Sequence, residues 1–357
     1  MREFPQDGLA SQVLVRGELS AADIDALAAN VAAFHHTACV ANVRGPFGVP
    51  ASVLGMALQN FAQIRSLLNT QAEVMELAAL AAWAEREHAA CTAAMARRRR
   101  QGFVRECHGD LHLGNIAFVE GKLTIFDCIE FNEEMRWIDV MSEVAFAAMD
   151  LRDRGRPDLA HRFLNAYLEI TRDYDGLSVL RFYLVYRAMV RAKISRLRAH
   201  QLGAGDAQAA ALAEYRGYLN IAGDCSQPSR PAIVITHGLA GSGKTTLSQA
   251  LLEMIGAVRI RTDVERKRLH GLPATTRDRA GIEAGLYTPE ATRETYSQAL
   301  QWTRCATTAG FRVIVDATFL KRWQRRLFRD LAHELGVPFI IVDFVADEAT
   351  LRERIAR

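Results

Sequence analysis

The sequence lacks an apolar run long enough to cross a membrane. No stretch approaches the roughly 20 apolar residues of a spanning helix. The N-terminus, which begins Met1-Arg2-Glu3-Phe4-Pro5, has no apolar signal core. We therefore expect a cytoplasmic protein without a membrane partner.

Paired cysteines are also missing. The six cysteines are scattered, and they form neither a C-x-x-C pair nor a metal-like cluster with histidine. This spacing argues against a disulfide scaffold and a zinc motif, and it is typical of reduced thiols.

Lysine is scarce and the net charge is small. Five of the 44 basic residues are lysine, and the formal net charge is +3, which is too low for a dedicated nucleic-acid binder. The run Arg97–Arg100 has no interleaved aromatic residues, so we interpret it as a solvated helix end with cations near the C-terminus.

The composition is that of a soluble globular protein, and the length favours two domains. Half of the 357 residues are hydrophobic and 24% are charged. Small, polar and proline residues at 225–231 indicate a linker between a first domain, 1–224, and a second domain, 232–357.

The two halves differ in pattern. Before the linker the periodicity is mostly helical, with predicted helices at 57–100, 138–150, 158–174, 177–200 and 206–222. Residues 103–131 interrupt it with a predicted hairpin that turns at Glu120-Gly121. After the linker, strands alternate with helices, which predicts an α/β fold with a parallel sheet and helices on both faces.

The strongest motif follows the first strand of the second domain. Gly238 to Thr245 matches G-x-x-x-x-G-K-[ST] between an apolar strand and a helix, as a phosphate-binding P-loop requires. The alternative is an ordinary glycine-rich turn. Lys244 is placed for the β- and γ-phosphates of ATP, and the Thr245 hydroxyl for Mg²⁺. The predicted nucleotide-binding residues are Gly238, Leu239, Ala240, Gly241, Ser242, Gly243, Lys244, Thr245 and Thr246.

Two further strand ends carry acids. Asp316 ends the strand Val313-Ile-Val and is predicted to hold Mg²⁺, with helix capping as the alternative. Asp263 and Arg266 follow the second strand, at the sheet edge where ligands bind. We predict Asp263 as the base and Arg266 as an anion-binding residue, and the alternative is a solvated helix start.

These residues resemble the P-loop kinases that include polynucleotide 5′-kinases, zeta toxins and small-metabolite kinases. The resemblance covers about 231–357 and rests on the P-loop, on Asp263-x-x-Arg266 and on Asp316-Ala-Thr-Phe-Leu. It implies that Arg354 is a lid arginine, whereas a solvent-facing stripe is the alternative. A P-loop sheet normally has a further strand, so we expect the C-terminal part to be incomplete.

A second constellation lies in the first domain. His108-Gly-Asp110-Leu-His-Leu-Gly-Asn115, followed by Ile125-Phe-Asp127, resembles the catalytic and metal loops of aminoglycoside phosphotransferase-like kinases. The resemblance implies Asp110 as base, with Asn115 and Asp127 as Mg²⁺ ligands. It also implies the mostly helical C-lobe of a protein-kinase-like fold.

That family holds ATP with an N-terminal lobe, which carries a glycine-rich turn and a strand lysine before the catalytic loop. The first lysine of this chain is Lys122, and the earlier glycines form no cluster. We expect a domain without its N-lobe and without an ATP site of its own.

Together the halves resemble a bacterial bifunctional family in which an aminoglycoside phosphotransferase-like domain precedes an AAA-type P-loop domain. The resemblance implies an enzyme, an ATP- and Mg²⁺-dependent phosphotransferase acting on a small-molecule hydroxyl acceptor. Two alternatives stay open: an ATP-hydrolysing switch that controls a kinase-like binding module, and a polynucleotide 5′-hydroxyl kinase with a nucleic-acid partner.

Overall fold

The computed structural model of the protein describes residues 5–272 and 288–356. The chain forms two compact units. Unit 1 comprises Met1–Thr171 and Gly176–Pro228, and unit 2 comprises Arg172–Asp175 and Ser229–Arg357. No helix of the described residues has both the length and the apolarity needed to cross a membrane.

Unit 1 is mostly helical, as predicted. Its helices are α1 (Ala10–Val15), α2 (Ala21–Thr37), α3 (Pro50–Arg65), α4 (Gln71–Arg100), α5 (Glu133–Arg136), α6 (Val140–Asp153), α7 (Pro157–Thr171), α8 (Leu177–Gln201) and α9 (Asp206–Ser226).

The helical segment predicted at 57–100 is divided between two helices. The helix α3 ends at Arg65, and α4 begins with its own N-cap. The Thr70 hydroxyl accepts a hydrogen bond from the Glu73 backbone N–H. The predicted linker is also partly helical, since α9 continues through Ser226.

The strands of unit 1 form two antiparallel pairs among the described residues. In chain order they are β1 (Val104–Glu106), β2 (Ile116–Val119), β3 (Lys122–Ile125) and β4 (Trp137–Asp139). β2 and β3 form the predicted hairpin, and β1 pairs with β4. Both turn residues of the hairpin, Glu120 and Gly121, have positive φ, as a tight hairpin turn requires.

The arginine run at the end of α4 is not fully solvated, so our interpretation was wrong for Arg98. Its side chain is completely buried, its guanidinium donates two hydrogen bonds to the Asp139 carboxylate at 2.8 and 2.9 Å, and it lies over the Phe103 ring. The carboxylate partner comes from a segment 41 residues away, so the local charge pattern could not reveal it.

Unit 2 is built on a parallel sheet, as predicted. Its strands are β5 (Ala232–His237), β6 (Val258–Arg261), β7 (Arg312–Asp316) and β8 (Phe339–Asp343). Its helices are α10 (Lys244–Ile255), α11 (Thr262–Leu269), α12 (Pro289–Thr308), α13 (Arg322–Leu335) and α14 (Glu348–Ala356). The strand order is β6-β7-β5-β8, with all neighbours parallel.

The register of the strands places the candidate functional residues of unit 2 near the carboxyl ends of the parallel strands. Arg261 at the end of β6 pairs with Asp316, and His237 at the end of β5 pairs with Asp343. The segments that follow these strand ends therefore emerge side by side, where ligands of parallel α/β sheets bind.

Candidate functional site

The loop between β5 and α10 has the backbone shape of a phosphate cradle. Gly238, Gly241 and Gly243 have φ values of 140°, 78° and 87°, which residues with a Cβ rarely adopt. Gly243 precedes α10 without a side-chain cap. The helix N-terminus thus presents backbone N–H groups and a partial positive charge, the features that bind an anion.

Lys244 reaches back into this loop. Its side chain is largely buried, and Nζ donates hydrogen bonds to the carbonyl oxygens of Gly238 and Leu239 at 2.9 and 2.5 Å. Burial lowers the pKa of Lys244, and the negative charge of Asp316 opposes that shift. The ammonium group therefore lies inside the loop, with backbone carbonyl oxygens as its partners.

The Asp316 carboxylate lies beside the second turn of α10. Asp316 is buried at the end of β7, and its Oδ2 accepts a hydrogen bond from the Ser248 hydroxyl at 3.4 Å. Thr245 is one turn earlier on the same helix and is exposed. The donor set of one carboxylate and one hydroxyl fits Mg²⁺, which binds a few protein oxygens and keeps several waters. The motif did not single out Ser248, since only the fold brings it to Asp316.

Asp263 and Arg266 lie in α11, directly after β6. The Asp263 side chain is exposed, and its carboxylate accepts a hydrogen bond from Lys267 Nζ at 2.7 Å. Arg266 is buried, and its positive charge opposes the burial that raises the pKa of Tyr296 to about 12. Asp263, the predicted base, thus lies just after the carboxyl end of β6. Its hydrogen bond from Lys267 was not predicted from the sequence pattern.

Arg354, near the end of α14, extends to the phosphate loop. Its Nη1 lies 3.3 Å from the carbonyl oxygen of Gly241 and donates a hydrogen bond to it. The residue is 113 positions away in sequence from its partner. The fold therefore brings the predicted lid arginine to the loop it was expected to face.

In unit 1 the loop from His108 to Asn115 gathers the second predicted site. Asn115 Nδ2 donates a hydrogen bond to Asp110 Oδ2 at 3.0 Å, and His112 Nε2 lies 3.3 Å from the same oxygen. Burial works to raise the pKa of Asp110, but the hydrogen bond and charge of His112, with the charges of Arg191 and Arg187, hold it below its ordinary value. The candidate base is therefore a stabilised carboxylate.

Two buried acidic residues of α6 accept hydrogen bonds from the backbone of this loop. Glu143 Oε1 accepts a hydrogen bond from the Gly109 N–H at 2.7 Å, and its Oε2 lies 2.7 Å from His35 Nε2. Asp150 accepts one from the Leu113 N–H at 2.8 Å. Sequence analysis missed these supports, because a buried acid on a helix has no motif of its own.

Asp127 follows the hairpin and is connected to the loop through its neighbour. Its φ is 60°, in the left-handed region, and its side chain is exposed. The Phe126 N–H donates to the Asn115 carbonyl at 3.0 Å, and His108 Nε2 donates to the Phe126 carbonyl at 2.7 Å. Hydrogen bonds thus connect the chain segments that carry Asp110, Asn115 and Asp127. The side chains of these residues supply carboxylate and amide oxygens, which suit Mg²⁺.

Comparison with known sequences finds a matching family profile in each half of the chain. Residues 7–183 match the profile of the phosphotransferase enzyme family, and residues 233–357 match the profile of an AAA domain.

Two mycobacterial relatives are uncharacterized proteins: Rv2004c of Mycobacterium tuberculosis and Mb2027c of Mycobacterium bovis. Each is 34% identical over 262 residues, a region that covers 71% of this chain and 51% of the relative. The chain thus spans about half the length of these relatives.

Among solved structures, the chain is similar to an ethanolamine kinase of Plasmodium vivax, with a TM-score of 0.37 and 12% identity. The similarity covers 58% of this chain and 60% of that chain. The profile matches by themselves identify a phosphotransferase enzyme family domain at residues 7–183 and an AAA domain at residues 233–357.

Proposed function

We propose that unit 2 is an ATP- and Mg²⁺-dependent kinase that transfers the γ-phosphoryl group to a hydroxyl of a small molecule. The observation that carries this proposal is the loop from Gly238 to Thr246. Three left-handed glycines, an uncapped helix N-terminus and an inward-facing lysine converge there. This combination fits a polyphosphate, because its donors and its positive charge are already oriented toward one point.

In this proposal the loop and Lys244 bind the β- and γ-phosphates, and Thr245 with Asp316 holds Mg²⁺. The bound Mg²⁺ would neutralise charge on the phosphates. Arg266 and Arg354 supply further positive charge, and the Gly241 contact of Arg354 supports that role.

Asp263 accepts the proton of the acceptor hydroxyl. The new bond joins that oxygen to the γ-phosphorus, the bond to the ADP oxygen breaks, and the proton stays on the carboxylate. Lys267 Nζ donates a hydrogen bond to the Asp263 carboxylate at 2.7 Å and so helps to fix its position.

For unit 1 we propose that Asp110 is the corresponding base, with Asn115 and Asp127 as Mg²⁺ ligands. The hydrogen bond between Asn115 and Asp110 supports this arrangement. We also propose that ATP binds the chain only through unit 2.

Equilibrium binding of ATP to the full chain and to Lys244→Ala tests the nucleotide site. Weaker ATP binding by the variant is expected, because the lysine is the cation of the loop. Unchanged ATP affinity in Lys244→Ala would contradict the loop as the ATP site. Lys321→Ala, which changes a lysine outside the loop, is the matched control.

Transfer is tested by measuring ADP release from Mg²⁺-ATP with and without a panel of hydroxyl compounds. A kinase shows acceptor-dependent release and a product heavier by about 80 Da, the mass of one phosphoryl group. Acceptor-independent release alone indicates an ATP-hydrolysing switch. Label transferred from γ-labelled ATP to a 5′-hydroxyl oligonucleotide, but to no small molecule, indicates a polynucleotide kinase.

A further inference from the structure

The segment Arg172–Asp175 belongs to unit 2, although the residues on either side of it belong to unit 1. Two of its side chains are buried, since Tyr174 is 1% exposed and Asp173 is 4% exposed. The Tyr174 ring packs against Trp302 of α12, with 4.9 Å between the ring centroids. Connecting segments usually run over the surface, so this segment is a built-in part of unit 2.

Arg172 occupies a backbone position that favours glycine. It directly follows α7, and its φ is 61°, in the left-handed region. Glycine is the usual residue after a helix in this conformation, because it has no Cβ to clash. The Tyr174 N–H donates to the Arg172 carbonyl at 2.8 Å and helps to fix the turn. An arginine here accepts a less favourable backbone and supplies a long side chain to unit 2.

The Arg172 guanidinium bridges α11 and α12. Its Nε lies 3.1 Å from Glu265 Oε2 on α11, and its central carbon lies 4.9 Å from the centre of the Trp302 ring on α12. Glu265 is 1% exposed, and its Oε1 accepts a hydrogen bond from Arg268 Nη1 at 3.2 Å. A buried carboxylate is tolerated where cations and donors surround it. Arginines from two parts of the chain therefore hold Glu265 at one point.

Glu265 shares its helix with the candidate base. The helix α11 has eight residues, and a helix of that length depends on tertiary contacts for its stability. Asp263 and Glu265 are two positions apart, so they point to nearly opposite sides of the helix. Asp263 is exposed and Glu265 is buried. Holding Glu265 in place therefore fixes the rotation of α11 and the direction in which Asp263 points.

We infer that Arg172 is a positioning residue for phosphoryl transfer, which acts on Asp263 through Glu265 and α11. The inference rests on the proposed function of unit 2, because it takes Asp263 to be the base. A rotation of α11 by about 25° moves the Cα of Asp263 by about 1 Å, because helix Cα atoms lie about 2.3 Å from the axis. A displacement of that size can lower a rate by about 100-fold.

The inference adds a residue from outside the matched domain to the machinery of unit 2. Arg172 lies outside residues 233–357, the range that matches the AAA domain profile. The Asp263-x-x-Arg266 motif would then depend on a side chain that precedes the whole domain in sequence.

Arg172→Ala in the full chain tests the effect on the reaction. Steady-state transfer is measured with the most active alcohol of the acceptor panel, and ATP affinity by isothermal titration calorimetry. We expect kcat to fall about 10- to 100-fold. The dissociation constant of ATP should change by less than about twofold, because Arg172 contacts α11 and α12.

Two further substitutions are the controls. Arg172→Lys keeps the positive charge and makes the same demand on the backbone, so it should recover part of the lost rate. Arg304→Ala removes an exposed ion pair between α12 and Glu334 of α13, and it should alter neither kcat nor ATP affinity.

A double-mutant cycle tests whether Arg172 acts through Glu265. Glu265→Gln alone should lower kcat, and Arg172→Ala should add little to that loss when the two substitutions are combined. If the two effects multiply, Arg172 influences the reaction by another route and the inference is overturned.

Hydrogen exchange gives a readout that does not depend on the reaction. In Arg172→Ala, peptides that cover Thr262–Leu269 should exchange about tenfold faster, while peptides of Lys244–Ile255 keep their protection. Unchanged exchange in α11 would overturn the inference, and so would an equal loss of protection in both helices together with lost ATP binding. If the unaltered chain shows no acceptor-dependent transfer, the proposed function fails, and the exchange result still decides whether Arg172 holds α11.

Discussion

The two loops that carry the predicted chemistry, Gly238–Thr246 and His108–Asn115, are held by different means. The first depends on its own glycines and on the helix that follows it. The second depends on buried acids of α6, such as Glu143 and Asp150, which accept from its backbone. The phosphate loop is therefore shaped largely by local residues, whereas the unit 1 loop is also held by hydrogen bonds to a helix that follows it in sequence.

The largest expected effect compares the two candidate bases. Asp263→Asn should lower phosphoryl transfer by about 10²- to 10⁴-fold, the usual contribution of a general base. ATP affinity should be retained, because the variant keeps the phosphate loop. Asp110→Asn is the matched variant of unit 1 and should leave the transfer catalysed by unit 2 unchanged. Steady-state kinetics of both variants decides the assignment, and full turnover by Asp263→Asn would show that another group takes the proton.

The second effect tests the support of the unit 1 loop. Glu143→Ala removes the buried acceptor of the Gly109 N–H and of His35, so we expect unit 1 to lose about 3 kcal/mol of stability, the cost of two unsatisfied buried donors. Hydrogen exchange with mass spectrometry reports protection separately for peptides of each unit. Peptides of unit 2 should be unaffected.

Glu76→Ala is the control for that prediction, because its ion pair with Arg216 is exposed. Exposed pairs contribute at most about 1 kcal/mol. If the Glu143 and Glu76 variants lose equal protection, the buried acid does not support the loop and the contrast between the two loops fails.

The third effect concerns the glycine at the start of the phosphate loop. A Cβ on Gly238 would lie 2.5 Å from the Phe344 carbonyl oxygen, at a φ of 140°. Gly238→Ala should therefore displace the loop and weaken ATP binding by about tenfold, equivalent to ~1.4 kcal/mol. Gly336→Ala has a strained φ of 65° but open space around the new Cβ, so it should leave ATP affinity unchanged. Isothermal titration calorimetry measures both.

The smallest effect is a pH dependence of the stability of unit 1. Interactions hold the pKa values of Asp110 and Glu143 below the ordinary 3.8 and 4.5. A depressed carboxyl pKa stabilises the fold above the unfolded value, and this stability is lost as the pH falls through the folded value. We expect protection of unit 1 to decline below about pH 4.5. The decline should be shallower in Asp110→Asn, and an unchanged slope would contradict the assignment.

The sequence predicted much of the fold and the motifs, because both depend on short-range patterns. Apolar periodicity indicated the helices of unit 1 and the parallel strands of unit 2, and the spacing of glycines and Lys244 indicated the phosphate loop. Arg98 was wrongly predicted to be solvated, because its partner Asp139 is distant in sequence.

By itself, the sequence determined the two-part organisation of the chain, the alternation of strands and helices in unit 2, and the residues of both loops. These follow from periodicity and from the steric demands of glycine, which act within a few residues. Only the tertiary structure decided what stands beside each loop: Ser248 at Asp316, Arg354 at Gly241, and Glu143 beneath Gly109. Such neighbours are set by sheet register and helix packing, which join residues far apart along the chain.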